Sequence, residues 1–188
     1  QRTIVNQASE FQILGTTGAD STLTIGRWSA SAGGPNLHFF KSRASSIGTL
    51  HADSRVDTAG DTLGNITFAL DDGSTSGGEA AAYNHYAARI SGQLDAATSG
   101  VNAAPGRLVF YTTDTGVSES EAMRIDSSNR VGIGGVDPAS YHANGDDLVV
   151  YSTGETGITV ATNDTSSGRG AIYFNDTAHT SNMPQGYI

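Results

Sequence analysis

The stretch Arg124-Ile-Asp-Ser-Ser-Asn-Arg-Val-Gly-Ile-Gly-Gly-Val-Asp-Pro138 decides the fold of this chain. Apolar, mostly β-branched residues stand at alternate positions on both sides of an Asp-Ser-Ser-Asn segment, which is the pattern of two short strands joined by a turn. Asp and Asn favour such turns because their side chains bond to the nearby backbone and tolerate a left-handed conformation. The stretch carries no nucleophile, carboxylate pair or phosphate loop of a catalytic pattern, so it indicates a structural role. The predicted structural hairpin, with its apolar residues buried, comprises Met123, Ile125, Asp126, Asn129, Val131 and Ile133.

Composition points to a chain that shares its core with other chains. Of 188 residues, 37% are hydrophobic and 24 are glycine, while cysteine is absent. A β-rich chain so poor in apolar residues, without disulfides, gains stability most readily by burial between several chains. A lone small sandwich is the alternative. The net charge of −9 argues against binding nucleic acid through its phosphates, and no apolar run is long enough to insert into a membrane.

Short apolar runs recur along the chain and are separated by clusters of Gly, Pro, Asn and Asp. Such punctuation predicts an all-β fold of short, largely antiparallel strands. Residues 79–90 are the exception, because their alanines could form two or three helical turns; a loop that leads into a strand at Arg89–Leu94 is the alternative that we favour. The predicted strands lie at 12–14, 23–25, 37–40, 66–70, 88–94, 108–111, 122–125, 130–133, 148–151, 158–160 and 171–174.

The beginning of the chain is repeated near its end. Ile13-Leu14 aligns with Leu148-Val149, and Leu23-Thr-Ile25 aligns with Ile158-Thr-Val160, at the same offset of 148 − 13 = 135 residues. An incomplete second copy indicates an array of modules. We therefore expect a first β module at residues 1–137 and the truncated start of a similar module at residues 138–188. The first and last residues further indicate an interior piece of a longer polypeptide.

Several motifs, in this order, resemble those of bacteriophage tail-fibre shafts. Gly34-Pro-Asn-Leu-His-Phe-Phe-Lys-Ser-Arg43 resembles their "GP-L-F-KSR" strand, and Gly60-Asp-Thr-Leu-Gly-Asn-Ile-Thr-Phe68 resembles "GD-LG-I-F". Pro105–Thr113 resembles a later strand of the same module, and the stretch 124–138 resembles the recurrent "RIDSSGNVGIG" element. Asn129 replaces a usual glycine, and residues 74–87 form an unusual Gly/Ala insertion.

The resemblance implies an elongated homotrimeric fibre made of repeated shaft modules. It implies a place in the virion, on the tail fibre outside the cell, in contact with other tail proteins. It also implies a part in attachment to a glycan or protein receptor on the host surface. A polysaccharide-degrading tailspike and a bacterial extracellular filament or adhesin are the alternatives.

Residues with catalytic or metal-binding potential are scattered. The five histidines lack zinc-site spacing, and Asp71-Asp72 and Asp146-Asp147 lack the alternating oxygens of a calcium loop, so we expect no metal and no cofactor. His38 on a trimer axis is a minor alternative as an ion ligand. The carboxylates Asp95, Asp114, Glu119 and Glu121 could supply a glycosidase pair, but the sequence does not give their separation, and we expect no enzyme.

Aromatic residues outside the strands are the best candidates for contact with a receptor. Buried packing, a merely tolerated insertion and a piece of the trimer interface are the alternatives. Flat aromatic rings stack on sugars, and loops tolerate variation better than strands do. The insertion at 74–86 is where the chain departs most from the fibre pattern. The candidate contact residues are Trp28, Tyr83, His85 and Tyr86.

Overall fold

The computed structural model of the protein describes residues 3–4, 7–8, 21–28, 30, 32–42, 47, 58–70, 85–98, 103–115, 118–162 and 172. Two strands of two residues, β1 (Thr3–Ile4) and β2 (Gln7–Ala8), pair antiparallel. Six further strands form one sheet in the order β3-β4-β5-β6-β7-β8. They are β3 (Thr62–Leu70), β4 (His85–Leu94), β5 (Gly106–Thr113), β6 (Glu119–Ile125), β7 (Val131–Ile133) and β8 (Leu148–Val150).

The sheet is antiparallel from β3 to β7, and only β8 is parallel to its neighbour, β7. A single 3₁₀ turn at Pro138–Ser140 is the only helical element in the described ranges. The predicted all-β, mainly antiparallel fold is confirmed. None of the described helical residues forms a segment long and apolar enough to cross a membrane.

Three predicted strands are wrong for the single chain. Residues 23–25, 37–40 and 158–160 have no regular structure, and their side chains are exposed. A strand satisfies its backbone groups by pairing with a neighbouring strand, and none of these three segments pairs with a described strand, although Phe39 lies against Gly64 of β3. Residues 12–14 and, apart from Ile172, residues 171–174 lie outside the described residues. No helix forms at 85–90, and the strand expected at Arg89–Leu94 begins earlier, at His85, so that residues 85–87 belong to β4 and not to a loop; residues 79–84 lie outside the described residues.

The chain divides into two compact units, Gln1–Tyr151 and Ser152–Ile188. The predicted module boundary after residue 137 falls inside the first of these units, because β8 joins the sheet of that unit. The position of a boundary between sequence repeats stays a prediction.

Candidate assembly and contact surfaces

One side of the sheet is apolar across all six strands. Paired residues of neighbouring strands project to the same side of a sheet, so the register groups side chains into rows. One row is wholly apolar, and a second row is apolar apart from two glycines. Together the two rows define what we call the apolar face. The first row is Ile66, Ile90, Phe110, Met123, Ile133 and Val150, and the second is Gly64, Gly92, Leu108, Ile125, Val131 and Leu148.

The apolar face is only partly covered in the single chain. Ile66 is 45% exposed and Leu148 is 56% exposed, and they lie on the two edge strands. Of the predicted hairpin residues, Met123, Ile125 and Val131 are half-buried, and Ile133 is exposed. Their full burial is not found within one chain, and burial against other copies stays a prediction.

The opposite side of the sheet is polar and yet better covered. We call it the polar face. Ser91 and Val109 on this side are completely buried, and Gln93 and Val149 are nearly so. Part of the cover is the segment after β7, since a Cβ on Gly132 would collide with the Val136 carbonyl oxygen and with Pro138. In most sheets the apolar side is the side that the rest of the chain covers. Here the chain covers the polar side instead.

Long charged side chains supply the rest of this cover. Arg89 donates from Nε to both carboxylate oxygens of Glu119, at 2.8 and 3.1 Å, and its guanidinium lies 4.0 Å from the centre of the Tyr111 ring. Hydrogen bonding to Glu119 raises the pKa of Arg89 against the opposing effect of its burial. Gln93 donates to the Tyr111 hydroxyl at 2.9 Å and accepts from Arg107 Nε at 3.0 Å. These bonds satisfy the polar groups that the sheet buries, so they stabilise it without a ligand.

Three carboxylates of the glycosidase alternative, Asp95, Glu119 and Glu121, are bonded to neighbouring residues. Glu119 is bonded to Arg89, and Arg124 donates from Nη2 to Glu121 at 2.8 Å. Asp95 accepts from the backbone N–H and the hydroxyl of Ser127 at 3.0 and 2.7 Å. Sequence reasoning missed these partners. The alternation of β4 and β5 puts Arg89 and Tyr111 on the side opposite the apolar row. Alternation alone would put Glu119 on the side of Met123, and the irregularity of register between Phe110 and Tyr111 moves it to the polar face.

The hairpin turn is organised by a buried aspartate. Asp126 Oδ1 accepts from the backbone N–H groups of Ser128 and Arg130, both at 2.9 Å, and Oδ2 accepts from Arg130 Nε at 2.7 Å. Asn129 has a φ of 65°, the left-handed conformation in which asparagine is tolerated and glycine is usual. Arg130 also donates from Nη1 to Asp146 at 2.7 Å, which ties the turn to the residues before β8.

The candidate contact residues do not form one cluster. Trp28 is 93% exposed, with its ring against Gly26, whereas Tyr86 is half-buried in β4. His85 opens β4, and Tyr83 lies outside the described residues. His38 is exposed, and His142 accepts from the backbone N–H of Asn144 at 3.2 Å. Within the described ranges, no group of three or more potential metal ligands comes together.

Asp95 should contribute to the pH dependence of the free energy of unfolding. Burial alone would raise the pKa of Asp95, but the bonds from Ser127 and the charges of Arg107 and Arg124 outweigh it and hold the pKa below the ordinary 3.8. The unfolded chain then binds the proton more readily, so this stabilisation is present above pH 3.8 and is lost as the pH falls through the folded-state pKa. We expect Asp95→Asn to lower the free energy of unfolding at pH 7 and to have little effect well below pH 3.8.

Denaturant titrations of wild type and variant across that pH range measure this difference. Asp147→Asn, which removes an exposed carboxylate, is the control for the change in net charge. A difference between wild type and Asp95→Asn that does not change with pH would contradict the expectation.

Comparisons with known proteins bear on the fold. Two similar solved structures are the carboxy-terminal domain of the bacteriophage T5 L-shaped tail fibre and that domain with its intramolecular chaperone domain. Each has a TM-score of 0.54 and 15% identity over 82% of this chain. The chain has the fold of a phage tail-fibre domain. It spans 59% of the first structure and 41% of the second. No family model and no curated protein matches the sequence.

Proposed function

We propose that this chain is a structural segment of a trimeric phage tail fibre and contributes to attachment to the host surface. The observation that carries the proposal is the partly covered apolar face on a sheet with the fold of a tail-fibre domain. An apolar face this continuous is normally covered, and three copies around a common axis would cover it in each chain.

The distribution of apolar residues supports assembly. Among the described residues, the buried hydrophobic side chains are Leu94, Val109 and Val149 alone. Nineteen large hydrophobic side chains in the same ranges are exposed, including four on the edge strand β3. A fully buried Val or Leu contributes about 1.5–3 kcal/mol, so three of them form a small core. Burial between copies would enlarge this core, and the segments 23–25, 37–40 and 158–160 could pair there with strands of other copies.

The mass of the particle tests the proposal. A chain of 19.3 kDa should sediment as a species of three times that mass at micromolar concentration. The trimer should persist in high salt, because burial of apolar surface rather than ion pairing would hold it together. A stable, well-folded monomer would overturn the proposal.

We propose no catalytic activity for this segment. The similar structures are tail-fibre domains, and Glu119 and Glu121 are each engaged by an arginine in the sheet. Incubation with host surface polysaccharide should release no reducing ends. Release that a single Glu or Asp substitution abolishes would support the tailspike alternative instead.

We expect any receptor contact to lie at Trp28 or in the insertion 74–86. Trp28 offers its ring to solvent, and weak contacts of this kind add up when three copies bind at once. Trp28→Ala and the double variant Tyr83→Ala/Tyr86→Ala should each reduce binding of the assembled protein to host cells. Tyr141→Ala removes another exposed aromatic side chain and serves as control. Binding that neither variant changes, with assembly preserved, would exclude both places.

A further inference from the structure

By its sequence, strand β8 belongs to the second repeat, but by its pairing it belongs to the sheet of the first folded unit. Leu148-Val149 aligns with Ile13-Leu14 at the offset of 135 residues, so β8 opens the second repeat. In the structure, however, β8 pairs in parallel with β7 and completes the sheet of the first unit. The end of the sequence repeat and the end of the folded unit therefore do not coincide.

We infer that consecutive modules of this protein are interlocked by strand donation, in which the first strand of each repeat completes the sheet of the repeat before it. The inference rests on the proposed function only in taking the chain as part of a modular fibre. A shaft joined in this way would resist bending and pulling at its joints, because separating two modules would require breaking backbone hydrogen bonds.

The donated strand is anchored at both ends. Val131 N–H donates to the Asp147 carbonyl at 2.8 Å before β8, and Tyr151 N–H donates to the Ile133 carbonyl at 2.9 Å after it. Between these bonds, Val149 is one of the few buried apolar side chains in the described part of the chain. The loop that delivers β8 is fixed by the ion pair between Arg130 and Asp146.

The accepting edge has a recognisable sequence, Val131-Gly-Ile-Gly134. Gly132 leaves space for the chain that crosses the polar face, as its contacts with Val136 and Pro138 show. Gly134 has a φ of 97°, and a Cβ there would overlap the Tyr151 carbonyl oxygen directly after β8. The two glycines therefore leave the space that the residue after the donated strand and the segment after β7 occupy.

The same relation assigns a role to the first copy of the donor. Ile13-Leu14 is the sequence counterpart of Leu148-Val149, so a peptide of residues 10–17 is expected to fit the same Val-Gly-Ile-Gly edge.

Cleavage of the connecting loop tests the inference on the whole chain. A recognition sequence for a site-specific protease is inserted between Tyr141 and His142, in the exposed loop before β8. After cleavage, the fragment that begins at His142 should stay bound on gel filtration in native buffer. A protein with the same insertion and Val149→Asp should lose this fragment after cleavage, because the new carboxylate would be buried without a partner. Separation of the wild-type fragment, or equal retention by the Val149→Asp protein, would overturn strand donation.

Competition with peptides avoids dependence on how the variant folds. An excess of a peptide of residues 145–152 should displace the cleaved fragment, whereas the same peptide with Val149→Asp should not. A peptide of residues 10–17 should also displace it, and failure of this peptide alone would refute the role assigned to Ile13-Leu14. The trimer proposal is judged separately, by the mass of the uncleaved protein.

Discussion

Replacement of Ile66 by aspartate is expected to abolish assembly of this protein. Ile66 stands at the β3 end of the apolar row that runs through Ile90 and Phe110. It is 45% exposed in the single chain, so the chain itself can accommodate the change. In the proposed trimer, three carboxylates would be buried in apolar surroundings, and each unpaired charge would cost several kcal/mol. We expect sedimentation to report a monomer where the wild type is a trimer.

Thr67→Asp is the matched control for this experiment. Thr67 is the next residue of the same strand, is also exposed, and projects to the polar face beside Arg89. The same change in charge and β-propensity should there leave the trimer intact, because the new carboxylate faces solvent and a guanidinium. If both variants assemble as the wild type does, the apolar face is not the interface. If both are monomeric, the free edge of β3 rather than one face of it is the sensitive element.

The pattern of apolar residues was sufficient to locate the strands of the sheet. Ile66, Phe68 and Leu70 alternate in β3, and Leu108, Phe110 and Met123 follow the same period in β5 and β6. The pattern did not place the starts of β3 and β4, which lie at Thr62 and His85. Glycine lowers strand propensity, so the sequence pattern starts the strand only after Gly64, although Gly64 lies within β3 with the Phe39 side chain against it.

Two features depended on information that no local pattern contains. The parallel pairing of β7 with β8 requires a crossover through residues 134–147, and the sequence indicated antiparallel neighbours. The segments 23–25, 37–40 and 158–160 have strand-like sequences but no regular structure in one chain. Period-two alternation reports that a segment is suited to a sheet, and it cannot tell whether the neighbouring strand comes from the same chain.

The candidate contact surface was predictable only in part. Trp28 lies on the surface, whereas Tyr86 lies half-buried in a strand, and a role of either in recognition stays a prediction. The ion pair between Arg89 and Glu119 joins residues 30 positions apart, and it follows only once the register of β4, β5 and β6 is known. Long-range pairs of this kind are set by the sheet and not by spacing along the sequence.

Asp126→Ala is expected to have the largest effect on stability among single changes in the hairpin. The carboxylate is 4% exposed and accepts two backbone N–H bonds and one bond from the guanidinium of Arg130. Bonds to a charged group contribute about 1.5–3 kcal/mol each, and they are not additive. We expect the free energy of unfolding to fall by about 3 kcal/mol or more, because buried donors would lose their acceptor.

Asp137→Ala is the matched control for Asp126→Ala. Asp137 also caps a turn through its carboxylate, which accepts from Ala139 N–H at 3.1 Å, but its side chain is 50% exposed. Water can replace that bond, so this variant should lose only about 1 kcal/mol. Urea unfolding followed by circular dichroism measures both variants, and equal losses would contradict the role given to Asp126.

Asp126→Asn separates the charge of this side chain from its hydrogen bonds. An amide oxygen can still accept from Ser128 and Arg130 N–H, whereas the charged partner of the Arg130 guanidinium is lost. If the turn depends mainly on backbone capping, Asp126→Asn should retain most of the stability that Asp126→Ala loses. If it depends mainly on the ion pairs of Arg130 with Asp126 and Asp146, the two variants should be equally unstable. We expect the first result, because the amide keeps both backbone bonds of the turn, and the partly exposed Arg130 keeps its bond to Asp146.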